Sequence, residues 1–125
     1  MPFARQQFLA REPVIAALRQ CAERLLAQRP DVIRVVLFGS FARGDFGRRS
    51  DADLLVVVRG SSAAPHERIP EFLRAFLDAP VPVDCLVLTA AEIEAMEAEG
   101  RPFWQRLQRE GITLATAPLT AAHPS

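Results

Sequence analysis

At 125 residues the chain has room for one domain with a sizeable core, and half of its residues are apolar. Fifteen basic residues balance fifteen acidic ones, which excludes long, sequence-independent contact with DNA or RNA. No apolar run reaches the length of a membrane span, and the opening Met1-Pro2-Phe3-Ala4-Arg5 lacks a signal-like apolar region. Cys21 and Cys85 read as buried thiols of a reducing compartment, so a cytoplasmic protein is expected.

The spacing of Val14, Ile15, Leu18, Cys21, Ala22 and Leu25 predicts a first helix from about Pro13 to Gln28, closed by Pro30. A first strand follows at Ile33 to Phe38. Gly39-Ser40 then begins a short helix, and an Arg/Gly-rich loop runs from Gly44 to Ser50. The second strand, about Ala52 to Val58, is apolar almost throughout and should be covered on both faces. After a surface loop from Arg59 to Pro65, which includes His66 at its margin, a helix is predicted over Glu67 to Asp78. Its inward side is Ile69, Phe72, Leu73, Phe76 and Leu77. A third strand spans about Val83 to Leu88. Thr89 and Glu92 fit a capping box at the start of the next helix, which stops near Gly100. Pro102 opens a last helix that carries Phe103, Trp104 and Leu107 inward and ends at Gly111. A short edge strand from Ile112 to Ala115 completes a domain of residues 1–115, and residues 116–125 read as a disordered tail. The fold class is α/β (α+β), a small mixed sheet with helices packed on it.

The second and third strands are joined by a helix, so they should be parallel neighbours with their N-terminal ends side by side. Asp51 and Asp53 precede and open the second strand, and Asp84 lies at the start of the third. The short connection after the first strand makes it antiparallel to the second, which brings Gly39 and Ser40 to the same edge. Three carboxylates in that setting repel one another, and an Asp in a Val/Leu strand is costly unless paired or bound to metal. One or two Mg²⁺ ions would relieve both problems. Backbone N–H groups around Ser40 would hold phosphate, with Arg43, and less so Arg48 and Arg49, balancing its charge.

All fifteen basic residues are arginine, so a covalent nucleotidyl-lysine, a Schiff base and a P-loop lysine are all excluded. His66 and His123 fall outside the predicted core. Chemistry must therefore rest on carboxylates, arginines and a metal.

Gly39-Ser40-Phe41-Ala42-Arg43-Gly44-Asp45, followed by Ser50-Asp51-Ala52-Asp53-Leu54, resembles the signature of the DNA polymerase β-like nucleotidyltransferases, and among them the minimal nucleotidyltransferases. Asp84 matches their third carboxylate. The resemblance implies that Asp51, Asp53 and Asp84 bind metal, that Asp84 also activates the acceptor hydroxyl, and that Gly39, Ser40 and Arg43 contact the triphosphate of ATP. Many minimal members are antitoxins that transfer AMP from ATP to a tyrosine of a HEPN-domain toxin. The resemblance therefore implies a toxin partner and a homo- or hetero-oligomer. Two other readings compete with it: a non-catalytic nucleotide-binding antitoxin acting by occlusion, and a small-molecule (antibiotic) nucleotidyltransferase. Several residues also have plainer roles. Asp45 reads as a cap, Phe41 as packing, Trp104 with Phe72, Phe76 and Phe103 as core, and Cys85 as a buried thiol on the strand face opposite Asp84.

Overall fold

The computed structural model describes residues 11–44 and 51–118. Four strands, β1 (Val32–Phe38), β2 (Ala52–Val58), β3 (Val83–Thr89) and β4 (Ile112–Thr116), form one sheet in the order β3-β2-β1-β4. β1 pairs antiparallel with both β2 and β4, and β2 pairs parallel with β3, as the connection lengths require. The mixed sheet of the sequence reading is therefore present.

The continuous apolar run of β2 has the predicted cause. Leu54, Val56 and Val58 enter one core with Val35, Leu37, Cys85 and Val87, beneath helix α1 (Arg11–Gln28) and helix α3 (Pro65–Leu73). Leu55 and Val57 enter a second core with Val36, Leu88, Ile93, Trp104 and Leu107, beneath α4 (Ala90–Glu99) and α5 (Pro102–Glu110). A strand covered on both faces has no position where water would favour a polar side chain. Between β1 and β2 lies the single helical turn α2 (Ser40–Arg43). The loop after Gly44, with Asp45, Arg48 and Arg49, lies outside the described residues, as do residues 119–125.

Helix boundaries agree with the sequence patterning except in the segment after β2. There α3 begins at Pro65 and so includes His66, and it gives way to a 3₁₀ turn at Arg74–Phe76 instead of continuing to Asp78. The tighter turn advances each residue by about 120° instead of 100°. Phe76 stays buried while Leu77, expected inside, is 80% exposed. β4 also runs one residue further than expected, so Thr116 pairs with Arg34 instead of opening a tail.

Two arginine clusters tie the layers together. The Arg29 guanidinium, just past α1, donates to Asp31 at 2.8 Å and to Glu71 of α3, and lies 4.8 Å from the centre of the Phe72 ring. It holds the Asp31 carboxyl below the usual carboxylate range. Arg68 of α3 is only 6% exposed and donates to the carbonyls of Ala63 and Val87 and to both carboxylate oxygens of Glu92. Glu92 meanwhile accepts from the N–H of Thr89 and completes the predicted capping box of α4. One carboxylate thus joins α3, β3 and α4. Removing the arginine leaves that buried edge unpaired, so Arg68→Ala should lower stability by about 2–3 kcal/mol in urea denaturation. Hydrogen bonds from Arg68 and the Thr89 backbone hold the Glu92 carboxyl down to about 2, from an ordinary 4.5. Its contribution is complete above pH 4.5 and is lost as the pH falls toward 2. Glu92→Gln should therefore flatten the acid-unfolding curve over that interval.

Candidate active site

The backbone register assembles the site. Phe38 of β1 pairs with Asp53 of β2, and Asp53 pairs with Asp84 of β3. These three residues form one row at an end of the sheet, at a strand spacing of about 4.8 Å. The bond from the Ala52 N–H to the Pro82 carbonyl, 2.8 Å, fixes the register one step before the row. By alternation Asp53 shares a face with Leu55 and Val57, and Asp84 with Leu88, so both carboxylates belong to the α4–α5 side. Cys85 belongs to the opposite core, as expected. Burial, reinforced by the Asp84 charge, pushes its thiol up to about 12, so it remains protonated and is no nucleophile at neutral pH.

Asp51 and Asp84 are exposed and Asp53 is half-buried. The Asp53 carboxyl is held above its ordinary range by burial first, then by the negative charges of Asp84 and Asp51, with Arg43 partly offsetting them. The predicted carboxylates therefore feel one another. Among the described residues, however, no group of three His, Cys, Asp or Glu side chains forms a ready-made metal cage.

The turn before the carboxylates is shaped by Gly39, whose φ of 79° and ψ of −157° lie in a region open essentially only to glycine. A Cβ at this position would overlap the Asp53 carboxylate. The missing side chain lets the turn and the acid touch, and Ser40 follows at the start of α2. From the far end of α2, the Arg11 side chain donates to the carbonyls of Phe41 at 3.0 Å and Ala42 at 2.7 Å. Phe41 itself is 1% exposed, which makes it packing and removes it as a platform for a ligand. Arg43 stands near Asp53 and forms an ion pair with Glu110 of α5 at 3.5 Å.

Sequence reasoning did not anticipate what α5 contributes. A cavity of about 220 Å³ lies between the turn and this helix, lined by Phe38, Gly39, Asp53, Phe103, Arg106 and Glu110 among others. Phe103 meets Phe38 edge to face, with ring centres 5.4 Å apart. Its helical spacing marked it as core, and it does pack against the second core while also presenting to the cavity. Arg106 carried no signal beyond lying one turn after Phe103.

Glycine-serine turn, short helix and an Asp-x-Asp strand opening, in this order on a mixed sheet, agree with the family model of the nucleotidyltransferase domain, which matches residues 18–108. The chain belongs to this family. A solved candidate nucleotidyltransferase from Sulfolobus solfataricus shares the fold, with a TM-score of 0.61 at 21% identity over 85% of this chain and 83% of that one. A candidate protein adenylyltransferase of Methanocaldococcus jannaschii is 58% identical over 26 residues. That match spans 21% of this chain and about a quarter, 26%, of the relative's length. A toxin–antitoxin structure with AMP-PNP aligns with 83% of this chain and 77% of that one at 22% identity, but its TM-score of 0.49 is too low to bear on function. The protein is thus a nucleotidyltransferase, and among the described residues no helix is long and apolar enough to cross a membrane.

Two outcomes test the geometry of this nucleotidyltransferase site. Gly39→Ala should cost about 1–3 kcal/mol of stability in chemical denaturation, from backbone strain and the overlap with Asp53. Asp84→Asn removes a like charge, so the Asp53 carboxyl should titrate lower than in the wild type when followed by carbon-13 NMR without metal.

Proposed function

We propose that this nucleotidyltransferase moves AMP from ATP onto a hydroxyl, with Mg²⁺, and that the acceptor is a tyrosine of a partner HEPN-domain toxin, so that the protein acts as an antitoxin. The observation that carries the catalytic part is the row of Asp53 and Asp84 with Gly39 pressed against Asp53. That arrangement keeps carboxylates together against their own repulsion, beside a turn with open backbone.

The donor set suits a hard divalent cation: carboxylate oxygens only, with the half-buried Asp53 held above its ordinary proton affinity by its neighbours. A ready-made cage is not required, because Mg²⁺ binds through one or two carboxylates together with phosphate oxygens and water. Asp51, Asp53 and Asp84 would hold the ion, which when bound would offset phosphate charge and lower the pKa of the acceptor hydroxyl. The remaining work falls to the chain. Gly39 and Ser40 would seat the terminal phosphates through backbone N–H groups, and Arg43 would balance their charge, exchanging its pairing with Glu110 for phosphate. The acceptor oxygen attacks the α-phosphorus in line, the bond to the β-phosphate breaks, and pyrophosphate leaves. Asp84, exposed at the outer edge strand, would receive the hydroxyl proton.

The acceptor class rests on the resemblance to minimal nucleotidyltransferases. The short match to a candidate protein adenylyltransferase supports it. The chain has no tyrosine, which rules out tyrosine self-modification within it. Asp53→Asn should abolish transfer of label from α-labelled ATP to the toxin. Because a repelling charge is removed, its melting temperature should be no lower than that of the wild type. Undiminished transfer would overturn the catalytic reading, and protection of the toxin without transfer would favour occlusion.

A further inference from the structure

We infer that the cavity between the phosphate turn and α5 is a base pocket that selects purine nucleotides, with Phe103 as its stacking surface and Arg106 and Glu110 reading the edge of the base. The inference rests on the proposed function, because it concerns the nucleotide which that reaction consumes.

Position is the first argument. The cavity is bounded by Gly39, Arg43 and Asp53, and Asp84 is absent from its walls. Along the row Phe38–Asp53–Asp84 it therefore opens on the β1 side, whereas the proposed acceptor base stands on the β3 side. A ligand in the cavity approaches the carboxylates from the phosphate turn. That is the side for the nucleotide, and not for the acceptor.

Size and chemistry narrow the ligand. At about 220 Å³ the cavity is smaller than the roughly 300–1,000 Å³ of sites that enclose a whole drug-sized molecule. It suits one flat ring system, with the phosphates left outside. Phe38 and Phe103 are both half-buried, so each offers ring surface to a ligand while anchored in the second core. Base–aromatic stacking accepts any base but strengthens with ring area. The polar groups complement a purine edge. Arg106, exposed at the mouth, supplies N–H donors for ring nitrogens or a carbonyl. The Glu110 carboxylate, already engaged by Arg43 at 3.5 Å, has further lone pairs for an amino or imino N–H. Adenine and guanine both present such a pair of groups, so the pocket is assigned to the purine class.

Calorimetric titration of the full chain with ATP, GTP, CTP and UTP, each with Mg²⁺, tests this. The two purine nucleotides are expected to bind at least about fivefold more tightly than the two pyrimidine nucleotides. Phe103→Leu keeps apolar volume in the core but removes the ring, and should weaken ATP about tenfold while narrowing its advantage over CTP. Arg106→Ala, at an exposed position, should weaken ATP more than CTP. Equal wild-type affinity for all four nucleotides overturns the base pocket. So does unchanged ATP binding in both variants when their melting temperatures match the wild type. Either result with label transfer intact leaves the proposed function standing. A wild-type chain that binds none of the four nucleotides removes both.

Discussion

Parallel pairing of β2 with β3 imposes the constraint on which the site depends. Residues in register across a parallel ladder cannot move apart without breaking hydrogen bonds on both sides, and here two of the registered residues are Asp53 and Asp84. The fold thus does work against electrostatics: it holds one carboxylate partly out of water and sets another beside it. The raised proton affinity of Asp53 expresses that cost. A protein selected for stability alone would place a valine there, as it does through the rest of β2. The expense makes sense only where negative charge is to be met by something positive.

Period-two alternation then divides the molecule into two jobs. The face with Val35, Leu37, Leu54, Val56 and Val87 is sealed by α1 and α3 and holds no group that could react at neutral pH. The face with Leu55, Val57 and Leu88 ends in Phe38, Asp53 and Asp84, so the core beneath α4 and α5 runs directly into the chemical edge. Phe103 stands at that junction, with core behind it and cavity in front.

Much of this was legible in the sequence because it depends on local signals. Strand order followed from connection type, and the convergence of Gly39, Asp53 and Asp84 followed from strand order. The Thr89–Glu92 cap was visible from spacing alone. Legibility failed where a residue's role is set by what lies across from it. Arg68 looks like any charged helix residue until β3 and α4 place Val87 and Glu92 against it. Leu77 was misplaced because a change from α to 3₁₀ winding rotates every later side chain, and no single residue announces the change. For Phe103 an apolar residue at helical spacing proved correct as core but incomplete, since periodicity reports which way a side chain points and not where the core stops. Arg106 depends on the docking of α5 beside the turn, which is a tertiary fact.

The double hydrogen bond from Arg11 to the carbonyls of Phe41 and Ala42 has a bearing on how the domain tolerates change at its front end. Arg11 precedes the buried stripe of α1, which begins at Val14. A chain cut back to Glu12 would therefore retain every core contact of the helix, and by thermal stability alone it would pass for intact. It would lose the only printed tether between α1 and the end of α2, and with it the fixed placement of the turn that abuts Asp53. Stability and catalytic order are thus carried by adjacent but separable stretches of one helix. Trimming, tagging or fusion ahead of residue 12 acts on the active site at a distance while leaving the fold untouched.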